Sequence, residues 1–194
     1  SYLIDLLESR SAMLGVKASH GNSKKKLTEL RKSLSGMNAD GLILPRADEH
    51  QGEYVPKRAQ RLAWLTGFTG SAGTAVVLID KAAIFVDGRY TLQAADQVDG
   101  IHFEIISSTE KLPWRWVMEN TDGEDVVGFD PWLHTPDGVN RLNSAIEQND
   151  GRLKALDTNP IDQIWTNQPA EPLSPIHIME QKFIGKSSLE KRKE

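Results

Sequence analysis

Residues 67–90 read GFTGSAGTAVVLIDKAAIFVDGRY, and this stretch decides the fold. It begins with three glycines among small polar residues, where a backbone can turn sharply or be approached closely. Two apolar runs rich in β-branched residues follow, at 74–79 and 82–86, separated by Asp80-Lys81. Runs of this length and composition predict buried strands, and the polar pair between them predicts a tight turn. The stretch is therefore predicted to be a glycine-rich loop that leads into an antiparallel hairpin.

On either side of this hairpin, segments with helical and strand periodicity alternate. Further short strands are predicted at 41–44, 102–106, 125–129 and 153–156. Amphipathic helices are predicted to begin near Ser23, Arg58, Thr91, Pro113 and Pro136, with Ser23 as the N-cap of the first. Several of the strands are too apolar to expose either face, so helices are expected on both sides of the sheet. The predicted fold class is α/β, a three-layer α/β/α sandwich around a mixed sheet.

The domain organisation is predicted from changes in composition. Four prolines between residues 160 and 175 indicate a linker that leaves a finished domain, although Ile161, Ile164 and Trp165 are expected to anchor its start. We expect residues 21–158 to form the domain, 159–186 the proline-rich linker and 187–194 the start of a truncated second domain. Residues 1–20 are expected to be an N-terminal extension or a tag.

Composition and charge exclude several function classes. A formal net charge of −4 and a pI near 5.8 give no basic field to attract nucleic acid or anionic lipid. The absence of cysteine excludes disulfides, thiolate catalysis and cysteine-ligated metals. No apolar run approaches the roughly 20 residues that span a bilayer. We expect a cytoplasmic protein that binds neither nucleic acid nor membrane.

Searches for an active-site motif are mostly negative. The five histidines stand singly, and no H-E-x-x-H pair occurs. Ser71 lies in T-G-S-A-G, but a nucleophile elbow runs from a strand into a helix, whereas Ser71 precedes a strand. The loop that carries Asp48-Glu49-His50-Gln51 and Glu53-Tyr54 gathers acids, an imidazole and a phenol. These groups are interpreted either as solvated loop residues or as acid–base groups or metal ligands completed by other segments.

Asp87-Gly88-Arg89-Tyr90 is the remaining candidate, because it places opposite charges and an aromatic at a strand exit. In one interpretation Asp87 caps the following helix and Arg89 pairs with it or with another acid such as Glu53. In the other, the Arg89 guanidinium recognises a carboxylate or peptide carbonyls from outside the chain.

Several motifs occur together in an order that resembles a known family. They are DEHQ with Glu53-Tyr54, GFTGSAGTA at 67–75, DGRY at 87–90 followed by LQAA at 92–95, VGFDP at 127–131 and IWT at 164–166. Between about Ser23 and Lys186 the chain resembles the N-terminal, creatinase/prolidase-type domain of aminopeptidase P, the Xaa-Pro aminopeptidases, in their long three-domain form.

The resemblance implies a ribonuclease-H-like topology and a supporting role in peptide hydrolysis. Family enzymes remove the N-terminal residue of peptides with proline at the second position, using two divalent metals, usually manganese, in a C-terminal domain that has no counterpart here. This chain is therefore expected to hold no catalytic residue, metal or cofactor and to be inactive alone. The intact enzyme is expected to be a homodimer. Arg89, oriented by Asp87, is the proposed substrate-cleft residue, with His50 and Tyr54 as further candidates.

Two alternatives to this interpretation stay open. One is the front domain of a creatinase or prolidase relative, and the other is a non-enzymatic module that binds peptides or proteins.

Overall fold

The computed structural model describes residues 22–194, and these contain a six-stranded sheet with helices on both faces. The strands are β1 (Gly41–Pro45), β2 (Gly73–Leu78), β3 (Ala82–Val86), β4 (Glu104–Ser107), β5 (Val126–Phe129) and β6 (Arg152–Ala155). The helices are α1 (residues 22–36), α2 (Arg61–Thr66), α3 (Thr91–Gln97), α4 (Pro113–Asn120), α5 (Pro136–Glu147), α6 (Pro160–Ile164) and α7 (Ser188–Lys193). Short 3-10 turns cover Lys57–Ala59, Gly88–Tyr90, Pro131–Leu133 and Gln181–Phe183.

The strand order is β4-β3-β2-β1-β5-β6. Strand β2 is antiparallel to both of its neighbours, whereas the other neighbouring strands pair in parallel. The five strands β3-β2-β1-β5-β6 with β2 reversed form the ribonuclease-H-like arrangement, and β4 extends it at one edge. The α/β fold class and the mixed sheet predicted from the sequence are confirmed.

Strand alternation divides the core into two clusters, one on each face of the sheet. On β1, Leu42 and Leu44 belong to one cluster and Ile43 to the other. Helices α1, α2, α3 and α6 cover the first face, and α4 and α5 cover the second. Since all five residues of β3 are buried, the hairpin forms the centre of a sandwich with three layers.

The hairpin lies where the sequence predicts it, but its turn begins earlier. The last paired residues are Val77 and Ala82, and the Leu78 amide donates to the Lys81 carbonyl. Ile79, predicted in the strand, lies in the turn and is 62% exposed. Ser23 is also placed differently from the prediction, since it lies buried inside α1 and does not cap it.

The proline-rich segment is anchored where its first residues pack on the first face of the sheet. Ile161 is fully buried, and the Trp165 ring stacks on Trp64 with ring centroids 5.5 Å apart. Beyond this anchor the chain forms no helix or strand and is mostly exposed up to the Gln181–Phe183 turn. Among residues 22–194, no helix is long and apolar enough to cross a bilayer.

Candidate functional site

The candidate site lies at the edge of the sheet formed by the carboxyl ends of its parallel strands. Five of the six strands point the same way, so the loops that follow them reach this edge. The loops that follow β1, β3 and β5 meet there with the glycine loop that precedes β2. From β1 the chain continues to β2 on one side, and β5 pairs with β1 on the other. In open α/β sheets, ligands bind in the crevice at such a reversal of strand order, outside the carboxyl ends of the strands.

Asp87 and Arg89 pair with each other at the exit of β3. The Asp87 Oδ1 atom accepts from the Arg89 amide at 3.0 Å and from Arg89 Nε at 2.9 Å. The hydrogen bonds from Arg89 lower the pKa of the Asp87 carboxyl. The Arg89 side chain is 73% exposed, and its Nη1 and Nη2 atoms have no hydrogen-bond partner among the described residues. Asp87 thus orients the guanidinium and leaves its outer edge free for an acceptor.

Tyr90 joins this pair to the glycine loop. Its hydroxyl lies 2.5 Å from Ser71 Oγ, and this hydrogen bond lowers the pKa of the phenol. The Arg89 guanidinium carbon lies 5.6 Å from the centre of the Tyr90 ring, and Phe68 contacts the same ring edge-on. In the sequence, Ser71 stands out only as a candidate nucleophile and Tyr90 only as part of DGRY, and their hydrogen bond is not predicted, since two residues 19 positions apart form no sequence motif.

Asp48 shapes the loop that follows β1. Its carboxylate is buried and accepts from the backbone amides of His50, at 3.1 Å, and Gly52, at 2.8 Å. The His50 side chain is 82% exposed and Tyr54 is 90% exposed. The described residues show no hydrogen bond between either side chain and Asp87 or Arg89.

Arg46 connects the two loops that carry the predicted residues. Its Nη1 atom donates to the Glu53 carbonyl, beside Tyr54, and to the Ser71 carbonyl, beside Tyr90. The loop that carries Tyr54 is therefore connected through Arg46 to the glycine loop, which contacts Tyr90 next to Arg89. His50 instead lines a groove of about 560 Å³ near the β5 side. The structure does not gather the four predicted residues into one cluster.

The most buried ion pair at this edge was not found in the sequence. Arg61 Nε and Nη2 donate to the two oxygens of Asp162 at 2.7 and 2.8 Å. Burial acts to lower the pKa of Arg61, but the hydrogen bond and the charges of Asp162, Asp130 and Glu49 raise it overall. Asp130 accepts from the Asn159 amide at 2.9 Å. These contacts join α2, α6 and the loop after β5 around the groove.

Residues 22–194 contain no group of three or more histidine, aspartate or glutamate side chains that could hold a metal ion. The two divalent metals that the resemblance implies for the intact enzyme therefore do not fit these residues. What the edge offers is a guanidinium with free donors, exposed aromatic rings and a groove, which are groups suited to binding.

Residues 26–164 match the creatinase/prolidase N-terminal domain. The chain belongs to the creatinase/prolidase N-terminal domain family. The match begins inside α1 and ends with α6, so it covers the whole sheet and both helical layers.

The relatives that resemble the chain over most of its length are Xaa-Pro aminopeptidases. A probable Xaa-Pro aminopeptidase P of Neurospora crassa is 36% identical over 174 residues, which are 88% of this chain and 25% of the relative. Human Xaa-Pro aminopeptidase 2 is 36% identical over 172 residues, again 88% of this chain and 25% of the relative. The chain thus spans about a quarter of the length of the curated relatives it matches.

Solved structures share the fold. The X-prolyl aminopeptidase of Caenorhabditis elegans, described as a cytosolic enzyme with a di-nuclear active site, superposes with a TM-score of 0.71 at 26% identity. The superposition covers 76% of this chain and 26% of that one. The N-terminal domain of the Mycobacterium tuberculosis peptidase PepQ shares the fold, with a TM-score of 0.55 at 23% identity over 72% of this chain and 98% of that one.

Proposed function

We propose that this chain is the non-catalytic N-terminal domain of a Xaa-Pro aminopeptidase and that it frames the path of the peptide substrate. The observation that carries the proposal is the 36% identity over 88% of the chain to Xaa-Pro aminopeptidases, of which the chain covers a quarter. These relatives favour this assignment over a creatinase, a prolidase or a non-enzymatic module. The intact protein would remove the N-terminal residue from peptides with proline at the second position.

The chemistry is assigned to the remainder of such an enzyme. That remainder would hold two divalent metals, manganese in our proposal, which would supply the hydrolytic chemistry. The di-nuclear site and the cytosolic location described for the C. elegans relative support this assignment and a cytoplasmic location. We further propose that the intact enzyme is a homodimer. The division into residues 1–20, 21–158, 159–186 and 187–194 stays a prediction.

Arg89 is the proposed contact with substrate. Its free Nη atoms suit a peptide carbonyl or a terminal carboxylate, and Asp87 holds the side chain by its Nε atom. Tyr54 and His50 are proposed as further contacts of longer peptides, since both side chains are exposed at the same sheet edge.

Kinetics of an intact enzyme that contains this domain test the role of Arg89. A hydrogen bond to a charged group contributes about 1.5–3 kcal/mol, so Arg89→Ala is expected to lower kcat/KM for long Xaa-Pro peptides by about tenfold or more. The kcat/KM of the variant for Xaa-Pro dipeptides should equal that of the wild-type enzyme. Arg115→Ala removes another exposed arginine, on α4 in the opposite helical layer, and should change neither kcat/KM value. Unchanged cleavage of long peptides by Arg89→Ala would remove Arg89 from the cleft.

The same assay tests the non-catalytic assignment. The purified 194-residue chain, supplied with Mn²⁺, should release no N-terminal residue from a Xaa-Pro peptide that the intact enzyme cleaves. Proline-directed cleavage by the chain alone would overturn the proposal.

A further inference from the structure

The groove at the reversal point of the sheet is separate from the Arg89 cluster. We name it the β1/β5 groove after the loops that follow these strands, and its other walls come from α2, the loop after β6, α6 and residues 171–172. The residues that carry the argument are Glu49, Arg61, Asp130, Trp132, Asp157 and Asp162, all of which line it. Its volume of about 560 Å³ is in the usual range for a ligand pocket.

The charges that line the β1/β5 groove are mostly negative. Five carboxylates and two arginines line it, and both arginines already have acidic partners. Glu49 and Asp157 have no lysine or arginine partner among the described residues. Among the same residues Glu49 is paired only with the His50 imidazole, at 3.9 Å, so these two carboxylates favour a positively charged occupant.

Trp132 supplies an aromatic face beside these charges. It is 73% exposed, yet its position is fixed by a short turn in which Asp130 Oδ1 accepts from the Trp132 amide at 3.0 Å. The next residue, Leu133, is buried in the core. An exposed indole that lines the same groove as carboxylates is suited to a cation, because the face of the ring attracts positive charge.

Arg61 adds a donor that lacks an acceptor. The residue is only 9% exposed, and two of its nitrogens bind Asp162. The third, Nη1, is buried and has no hydrogen-bond partner among residues 22–194. A buried donor without an acceptor costs free energy, which an oxygen from a ligand would recover.

We propose that the β1/β5 groove binds an arginine or lysine side chain of an extended peptide. The cationic head lies against the Trp132 indole between Glu49 and Asp157. A backbone carbonyl of the same peptide accepts from Arg61 Nη1. The site is independent of the proposed aminopeptidase role, because it needs neither proline nor a free N-terminus in its ligand.

Binding of blocked tripeptides to the 194-residue chain tests the site. The probes are acetyl-Gly-Arg-Gly-amide and acetyl-Gly-norleucine-Gly-amide, which differ in charge and have no cleavable Xaa-Pro bond. The arginine peptide is expected to bind at least tenfold more tightly in calorimetric titration, to shift the indole resonance of Trp132, and to weaken as salt is raised. Equal affinity of the two peptides would overturn the proposal.

Charge-neutralising variants locate the site. The Glu49→Gln/Asp157→Asn double variant should lose at least tenfold in affinity for the arginine peptide. Glu124→Gln, which alters an exposed acid before β5 at the opposite edge of the sheet, should bind as wild type. Circular dichroism of each variant checks that the fold is intact. Wild-type affinity in the double variant would overturn the proposal.

A further probe tests the hydrogen bond between the peptide carbonyl and Arg61 Nη1. Methylguanidinium carries the charge without the backbone, so the tripeptide should bind several-fold more tightly than this ion. Equal affinity would remove Arg61 Nη1 from the site. Because these probes are not substrates, none of these outcomes bears on whether the intact protein is an aminopeptidase.

Discussion

At the scale of single residues, the two arginine–aspartate pairs of the sheet edge differ in burial. In the inner pair, the side chains of Arg61 and Asp162 are 11% and 28% exposed, whereas Asp87 and Arg89 lie in solvent. Asp162→Ala leaves a mostly buried guanidinium without its carboxylate. We expect the free energy of unfolding, measured by urea denaturation, to fall by about 2–3 kcal/mol, less than the about 3–5 kcal/mol for a fully buried pair, because Asp162 is partly exposed. Asp87→Ala, the exposed control, should lower it less than Asp162→Ala does, because it loses a cap to the Arg89 amide and a solvent-screened ion pair. Equal losses in both variants would contradict this account.

His134 makes stability depend on pH through its own burial. Its Nε2 atom is buried without a partner among the described residues, and its ring meets Phe129 edge-on. Burial lowers the pKa of His134 below its usual value near 6.5, against the opposing effects of a hydrogen bond with the Ile43 backbone and the charge of Asp130. Between the lowered pKa and 6.5, the unfolded chain binds a proton that the folded chain does not. The contribution of His134 is therefore full above pH 6.5 and is lost as pH falls toward the lowered pKa.

Urea denaturation at pH 7.5 and pH 5.5 measures this contribution. The wild-type chain should lose more free energy of unfolding between these pH values than His134→Gln, which cannot titrate. For each protein, the free energy of unfolding at pH 5.5 is subtracted from that at pH 7.5. A variant that is less stable by the same amount at both pH values therefore still tests the prediction. Equal losses in both proteins would show that His134 does not cause the pH dependence.

At the scale of elements, the glycine loop is held against the core by Phe68. A Cβ atom on Gly70 would lie 2.2 Å from the Phe68 ring, and Phe68 is buried. Gly70→Ala therefore forces the ring or the loop to move, and we expect it to lower the free energy of unfolding by about 1–3 kcal/mol, as overpacking does. Gly88→Ala is the matched control, because no atom lies within 4 Å of its added Cβ. Thermal unfolding compares the two, and a Gly70→Ala chain as stable as Gly88→Ala would contradict the packing argument.

Local patterns in the sequence identified most elements, since apolar periodicity reports which residues face the core. They missed the start of the hairpin turn, because Ile79 is as apolar as the strand residues before it. They also missed the Arg61–Asp162 pair, whose members are 101 positions apart and belong to no motif. Asp87 and Arg89 were found because the pair is local, with only one residue, Gly88, between them. The β1/β5 groove depends on strand order, which no single segment encodes.

At the scale of the whole molecule, strand order determines which loops meet. Because β2 alone is reversed, the loops after β1, β3, β5 and β6 share one edge with the glycine loop. The Arg89 cluster lies at the end of β3, and the β1/β5 groove lies on the other side of β2. A single domain can thus present two separate binding surfaces at the same edge.

The end of the folded unit can be located from the packing of α6. Residues 173–179 include large apolar side chains that are almost fully exposed, so they add little to the core, whereas Ile161 and Trp165 are buried within it. A chain that ends at residue 168 should therefore unfold within about 2 °C of the 194-residue chain, a shift no larger than about 1 kcal/mol produces in a chain of this size.

A chain that ends at residue 158 loses the Ile161 and Trp165 side chains together with the Asp162 partner of Arg61. Removing these contacts should cost more than about 5 kcal/mol, comparable with the entire stability of a small domain. We expect circular dichroism to show this shorter chain unfolded, or to melt at a much lower temperature than the chain that ends at 168. Equal melting of the two truncated chains would show that the domain is complete at 158 and that α6 packs on it without stabilising it.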